Sequence, residues 1–365
     1  MTSFPKVVFV AGTLGVGGAE RQLYYMARTL REHGAEPEVV SLTQGEHWEP
    51  RIRELGVPVH YAGAVHSRPV RAARIAFLAR RIRPDVVQSS HFYTNLYASL
   101  AARAAGARDI GAIRNDAIRT VRDAGRWGQA LLRVPRALAV NSTRARHQAI
   151  GMGVHADRVV YLPSVVDTSL FTPAPAVEGP ETVVLSVGRL VEQKRHDRFL
   201  RVLRRVIDRA PCGTRVRGII LGDGPLGATL EAQAAELGLG GEALTFLADP
   251  DSPPVYQSAS IFVLASDYEG TPNVILEAMA TGLPLVACDV GEVAALVEEG
   301  VTGYILHPGD EDRTVERVLE LVRDPAERRR LGAEGRRRVE HGRSIARLAV
   351  ELSTLYERCG TAVGR

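Results

Sequence analysis

The sequence predicts an α/β protein of two doubly wound domains in series, facing a central cleft. Three observations carry that expectation. Near-continuous apolar runs of strand length alternate with stretches of helical periodicity, which is the signature of parallel sheets covered on both faces. The alternation breaks once, at a proline-rich stretch, and then restarts. The chain's 365 residues are enough for two domains of ordinary size.

The first strand reads as Val7 to Ala11, followed by a glycine-rich turn and a helix over Glu20 to His33, where Leu23, Met26, Ala27 and Leu30 share a face. Glu38 to Leu42, Asp85 to Ser89, Ile110 to Ile113 and Ala137 to Asn141 read as further buried strands. Pro69 to Arg83, Tyr93 to Ala105 and Ser142 to Met152 are the helices between them. Thr172 to Pro180 carries three prolines and a glycine and reads as a linker. Beyond it, strands are expected at Thr182 to Val187, Arg217 to Leu221, Leu244 to Leu247, Ser260 to Leu264, Leu285 to Ala287 and Gly303 to Leu306. Helices are expected at Asp197 to Arg209, Leu226 to Leu237, Asn273 to Ala280, Val293 to Glu298 and Asp312 to Arg323. The division is therefore 1–171, 172–343 and a closing helical segment 344–365 that packs back toward the first domain. In that segment Ile345, Leu348, Ala349, Leu352 and Leu355 line one face.

Composition narrows the class. An apolar fraction of 45% with no low-complexity tract excludes disorder. Runs such as Val7 to Gly12 and Ile261 to Ala265 fall far short of the roughly 20 residues that span a bilayer. The N-terminus carries no cleavage site of small residues, so no secretory signal is expected. Cys212, Cys288 and Cys359 have no C-x-x-C spacing and read as free thiols of a reducing cytosol. Residues 1–170 hold 23 Lys plus Arg against 13 Asp plus Glu, a net of +10, whereas the rest of the chain is at −6. Only Lys6 and Lys194 are lysines among 46 basic residues, which singles out Lys194 in its glycine-punctuated loop.

Open parallel sheets bind ligands at the carboxyl ends of their strands, so four strand-end loops are the candidates for chemistry. Gly12-Thr-Leu-Gly15-Val-Gly17-Gly18-Ala-Glu20 can aim backbone N–H groups at an anion, or serve as a tight turn alone. Gly188-Arg189-Leu-Val-Glu-Gln-Lys194 sets two cations after a glycine turn, suited to a diphosphate or to a solvated loop. Gly222-Asp-Gly224-Pro-Leu-Gly227 satisfies G-x-G-x-x-G, with Asp249 near the end of the following strand. This supports the rival reading, an NAD(P)-dependent oxidoreductase, and reads equally as a close strand-to-helix turn. In the fourth loop, Thr271 and Pro272 read as the cap and first position of a helix whose positive end faces the cleft. Glu269 before that helix and Glu277 within it can hold hydroxyls on either side of a bound phosphate. A polyol joined to a phosphate is a nucleotide sugar.

These residues resemble the large family 4 of retaining glycosyltransferases, which have the GT-B fold of two Rossmann-like domains. The matching pieces are Gly17-Gly18-Ala-Glu20, Asn141-Ser with Pro163 to Asp167, Gly188-Arg189-Leu with Gln193-Lys194, Gly222-Asp-Gly-Pro, and Glu269-x7-Glu277 followed by Ala-Met-Ala-x-Gly-x-Pro. The resemblance implies that Arg189 and Lys194 bind the donor diphosphate, and that Glu277 binds the nucleotide ribose. Glu269, with the backbone of Gly270, Thr271, Pro272 and Asn273, would meet the transferred sugar. Gly17 and Gly18 would approach the donor phosphates, and His91 would lie near the reacting carbon. The catalytic set is thus Glu269, His91, Arg189 and Lys194. Two departures stand out: Gln88-Ser-Ser-His91 replaces the frequent H-x-H, and Pro163-Ser-Val-Val-Asp167 replaces P-N-G-V-D.

The resemblance implies a retaining transfer by front-face displacement, with no cofactor and no metal, from a UDP-sugar first and a GDP-sugar next. Asp249-Pro-Asp251 spells D-x-D, but in a proline-rich setting that reads as a turn. The acceptor would be a glycan, lipid-linked or small molecule held by the first domain. There, His66 to Arg83 is a basic amphipathic stretch and Arg114, Arg119, Arg122, Arg126, Arg133 and Arg136 form a second cluster. Both suit an anionic membrane surface or a phosphate-bearing lipid, and equally a solvated face. Nucleic acid is not expected, because no aromatic stacking pattern accompanies the charge. The expected location is cytoplasmic and peripheral to the inner membrane face. A nucleotide-binding GT-B protein without transferase activity is the remaining alternative.

Overall fold

The computed structural model describes residues 4–64, 67–174, 181–248 and 253–360. They form two compact units, Met1–Ser164 with Ile345–Arg365, and Val165–Ser344. The boundary falls before the linker rather than at 172, because Val166 and Phe171 already belong to the second unit's core. Arg336 fixes this stretch by donating to the carbonyls of Thr168 and Phe171.

The first unit is a seven-stranded parallel sheet of β1 (Val7–Ala11), β2 (Glu38–Ser41), β3 (Val59–Tyr61), β4 (Val86–Ser89), β5 (Arg108–Ile113), β6 (Ala137–Val140) and β7 (Val159–Tyr161). Their spatial order is β3-β2-β1-β4-β5-β6-β7. The second unit is a six-stranded parallel sheet of β8 (Glu181–Val187), β9 (Arg215–Leu221), β10 (Leu244–Leu247), β11 (Ile261–Leu264), β12 (Leu285–Cys288) and β13 (Gly303–Leu306), ordered β10-β9-β8-β11-β12-β13. Chain direction across the sheet reverses between β1 and β4 and again between β8 and β11. Loops leaving neighbouring strands at such a point diverge to opposite faces and leave a crevice between them.

The central strands are buried on both faces. In β8, Val183, Leu185 and Val187 enter one apolar cluster while Val184 enters another, as the two-residue side-chain period requires. The edge strands β3 and β7, each of three residues, and the polar helix Pro325–Gly342 were not expected from the sequence. The helix Leu348–Arg358 completes the first unit. It buries Leu348, Leu352, Leu355 and Tyr356, and the Tyr356 hydroxyl donates to Gln88 Oε1 at 3.0 Å. Burial pushes that phenol far up. Among the described residues, no helix is long and apolar enough to cross a membrane. The three cysteines are free thiols.

Candidate functional site

In the second unit, the loops after β8 and β11, the two strands flanking the reversal, are tied to each other. The loop after β8 begins at Gly188, whose φ of +154° lies where side chains rarely go. A Cβ there would lie 3.2 Å from the Lys194 stem, so the glycine makes room for that side chain. Lys194 then crosses to the loop after β11, its Nζ 2.6 Å from Glu269 Oε1. Lys194 is 14% and Glu269 8% exposed, so the pair is largely desolvated. Gln193 reinforces the junction, donating from Nε2 to the Tyr268 carbonyl at 2.7 Å and accepting from the Asp267 amide at 3.0 Å. Arg189 stands beside them exposed, with no hydrogen bond or ion pair from its guanidinium to any described residue.

Beneath these loops lies a charged lattice. Arg198 donates to the Ala265 carbonyl at 2.7 Å and to Asp267 at 2.9 Å, and Arg195 adds a contact to Asp267 at 3.0 Å. Burial would raise the Asp197 carboxyl, but hydrogen bonds from Arg195 and Arg201 hold it well below the usual carboxylate range. His196, 2% exposed, points Nε2 at the Gly188 carbonyl, 3.2 Å away. Burial, the largest influence, pushes its imidazole down to about 4, so it is neutral at physiological pH.

Glu277 sits in the helix Asn273–Ala280, 2% exposed, and accepts a 2.5 Å hydrogen bond from the hydroxyl of Tyr256. Tyr256 is fully buried, stacked on Phe262 and edge-on to Phe171. Sequence reasoning missed it, since nothing local marks a tyrosine 21 positions away as a carboxylate's partner. The cap also shifts by one. Pro272 is the cap residue and the helix starts at Asn273, because Pro272 has an extended ψ of 104°. Among the described residues, no side chain caps this helix start. Gly270 and Thr271 are buried and follow Glu269 directly, so five consecutive positions of the expected donor set run from the strand-end loop into the helix start.

The G-x-G-x-x-G run has a packing role. A Cβ on Gly222, where φ is +152°, would lie 2.1 Å from the Gly188 carbonyl oxygen, and one on Gly224 would lie 2.6 Å from that of Leu190. Leu190 also donates to the Asp223 carbonyl at 2.9 Å. These glycines let the loop after β9 lie against the backbone that presents Arg189. Asp249 and Asp251 fall outside the described residues.

In the first unit, the loops after β1 and β4 are joined in a similar way. His91 follows β4, and its Nδ1 accepts from the Gly12 amide at 3.1 Å. That contact leaves the ring proton on Nε2, which donates to Glu20 Oε1 at 2.8 Å. The ring stacks on Tyr93 with centroids 5.3 Å apart. Glu20 is 7% exposed and folds back onto its own helix start; a Cβ at Gly17 would lie 2.2 Å from its Oε2. Gly18 is the first residue of the helix Gly18–Glu32, two earlier than expected, with Gly17 extended as its cap. Glu20 is a second member the sequence reading passed over, although it belongs to the Gly-Gly-Ala-Glu run. The second arginine cluster is in part structural: Arg133 donates to the Met152 carbonyl. Among the described residues, no three His, Cys, Asp or Glu side chains group as a metal site.

Residues 16–170 match the model for "Glycosyltransferase Family 4" and residues 171–338 that for "Glycosyl transferases group 1". The chain belongs to the family 4 glycosyltransferases. It has the GT-B fold of that family. The D-inositol 3-phosphate glycosyltransferase of Nocardia farcinica is 28% identical over 293 residues, 74% of this chain and 61% of the relative. A GDP-mannose-dependent phosphatidylinositol monomannoside mannosyltransferase of Mycolicibacterium smegmatis is 30% identical over 48% of this chain and 50% of its own length. The chain thus spans less than two thirds of the length of these relatives. Anabaena HepE, crystallised with UDP-glucose, superposes with a TM-score of 0.85 at 19% identity, covering 97% of this chain and all of that one. Membership of this family sets aside the oxidoreductase alternative.

Proposed function

We propose that this glycosyltransferase moves a hexose from a nucleotide diphosphate sugar, UDP-linked first and GDP-linked next, to a glycan, lipid-linked or small-molecule acceptor, with retention at the transferred carbon. The observation that carries this reading is the Lys194–Glu269 pair, which joins two strand-end loops at the reversal point of the second sheet, beside an Arg189 whose guanidinium is unengaged among the described residues. A diphosphate supplies the anion that Arg189 lacks, and its two cationic partners give the leaving group charge stabilisation without a metal. The donors named for the Anabaena and Mycolicibacterium proteins, UDP-glucose and GDP-mannose, are of these two classes.

In this mechanism the bond from the anomeric carbon to the diphosphate oxygen breaks, with the electron pair going to the phosphate. The acceptor oxygen bonds to the same face. Its proton passes to the departing phosphate oxygen, because both nitrogens of His91 are engaged and neither can take it. Glu269 orients the sugar hydroxyls, since its ion pair with Lys194 weakens it as a covalent nucleophile. Glu277, fixed by Tyr256, receives the ribose hydroxyls. Gly17 and Gly18 offer backbone to the donor phosphates.

Peripheral binding to an anionic cytoplasmic leaflet fits the helix Arg68–Ile82. There Val70 and Phe77 are exposed at 50% and 64% beside exposed Arg74 and Arg81. The test of the transferase reading is thermal shift with UDP, GDP, ADP and their sugars, with and without EDTA, followed by transfer assays. Stabilisation by one nucleotide family that survives EDTA is expected. No stabilisation by any of them, or stabilisation abolished by EDTA, overturns the donor reading or its metal independence respectively.

A further inference from the structure

The carboxyl edge of the first sheet holds polar groups that donor binding does not use. Arg114 follows β5 directly; its Nε and Nη2 are shielded from solvent and meet no acceptor among the described residues. Burial alone pushes its guanidinium down to about 10, with no acidic neighbour opposing the shift, and it remains a cation at neutral pH. Ser90 follows β4, is 1% exposed, and its Oγ likewise meets no partner among the described residues. Because β4 and β5 are paired neighbours, both groups stand at one edge of the sheet together with His91.

The nearby carboxylates are engaged elsewhere. Glu20 holds His91, 2.8 Å away. Asp116 accepts from the Arg119 amide at 2.8 Å and Gln148 at 2.7 Å. A shielded cation with its N–H fork aimed at no acceptor is costly in the free protein and is repaid when an anion arrives. The guanidinium fork matches phosphate or carboxylate through two parallel hydrogen bonds.

We propose that Arg114, assisted by the Ser90 hydroxyl, forms a subsite for an oxyanion carried by the acceptor. The inference rests on the reading that the first unit receives the acceptor. It narrows that acceptor to one bearing a phosphate or carboxylate group.

The test measures binding of sn-glycerol 3-phosphate and glucuronate against glycerol and glucose, and of phosphatidylglycerol vesicles against phosphatidylcholine vesicles. Saturating UDP is present throughout to occupy the phosphate-binding loops of the second unit. Wild type, Arg114→Gln, Arg114→Lys and Ser90→Ala are compared, and UDP affinity is measured separately for each. Binding of the anionic probe is expected to weaken about tenfold or more in Arg114→Gln, less in Arg114→Lys and a few-fold in Ser90→Ala, with UDP affinity unchanged. The Tm of free Arg114→Gln should equal or exceed that of wild type, because the substitution removes an uncompensated charge. Preference for the soluble anions identifies a soluble acceptor, and preference for the vesicles a lipid head-group. Probe affinity unaffected in Arg114→Gln, no binding of any anionic probe by wild type, or loss of folded protein in Arg114→Gln overturns the inference. Loss of UDP binding in wild type would instead count against the donor reading and leaves the Arg114 comparison intact.

Discussion

The ammonium of Lys194 lies 2.6 Å from the carboxylate of Glu269, on the neighbouring loop of the sheet edge, and each neutralises the other in a mostly desolvated position. Removing one partner leaves the other as an unpaired charge. Lys194→Met should therefore cost about 3 kcal/mol of stability and lower turnover by about 10²- to 10³-fold. The double variant Lys194→Met with Glu269→Gln should regain most of the stability and none of the turnover. Denaturant melts and steady-state rates on the same preparations separate the two; a double variant no more stable than the single one refutes the charge argument.

Tyr256→Phe deletes only the hydroxyl that fixes Glu277. A hydrogen bond to a buried carboxylate contributes roughly 1.5–3 kcal/mol, and that loss of stability is expected here. The ribose partner would be left without its brace, so KM for the donor should rise about tenfold while kcat changes little. A fall in kcat with KM unchanged would place Tyr256 outside nucleotide binding.

Gly222→Ala would force a methyl group into the Gly188 carbonyl oxygen at a backbone angle suited to glycine. Strain of this kind costs about 1–3 kcal/mol. The loop carrying Arg189 must yield, so nucleotide affinity should drop along with Tm. Calorimetric binding of UDP measures the first and a thermal melt the second. Wild-type affinity in a destabilised variant would show that the glycine shapes the fold without aiming Arg189.

His196 gives the protein a defined acid response. Its folded value of about 4 lies below the ordinary 6.5, so the unfolded chain binds the proton first as pH falls. Its contribution to stability is complete above about pH 6.5 and is lost progressively between there and about pH 4, an amount of about 3 kcal/mol. The Tm of wild type should fall more steeply across this window than that of His196→Gln. Parallel curves would mean that other groups govern the acid limb.

Glu20→Gln keeps the shape of the His91 contact and removes its charge. If His91 acts by fixing the geometry of the loops after β1 and β4, activity should fall less than about fivefold, whereas Glu20→Ala should lower it by one to two orders of magnitude. The pH–rate profile should be unchanged in Glu20→Gln, since no proton transfer runs through the pair. A shifted profile would assign the pair an acid–base role.

Much of this arrangement is legible in the sequence where composition and spacing agree. Lys194 stood out because lysine is so rare in this chain, and the strands could be read because parallel strands buried on both faces are unbroken apolar runs. The helix Pro325–Gly342 was not legible, since it buries only Leu331, Gly332, Gly335 and Val339 and so presents no apolar stripe. It packs through close backbone approach: a Cβ on Gly332 would lie 1.9 Å from the Gly282 carbonyl oxygen. The partners of functional carboxylates were hidden for another reason. Tyr256 and Glu277 meet only through tertiary packing, and Glu20 and His91 are brought together from positions 71 residues apart.

The bond from Tyr356 to Gln88 joins positions 268 residues apart, and every residue of the second unit lies between them. On the ribosome, therefore, the first sheet emerges early but waits for its last helix until the entire second unit has been made. Gln88, buried in the middle of β4, lacks its phenol partner throughout that interval. The unit translated second can close its core while the unit begun first is still incomplete.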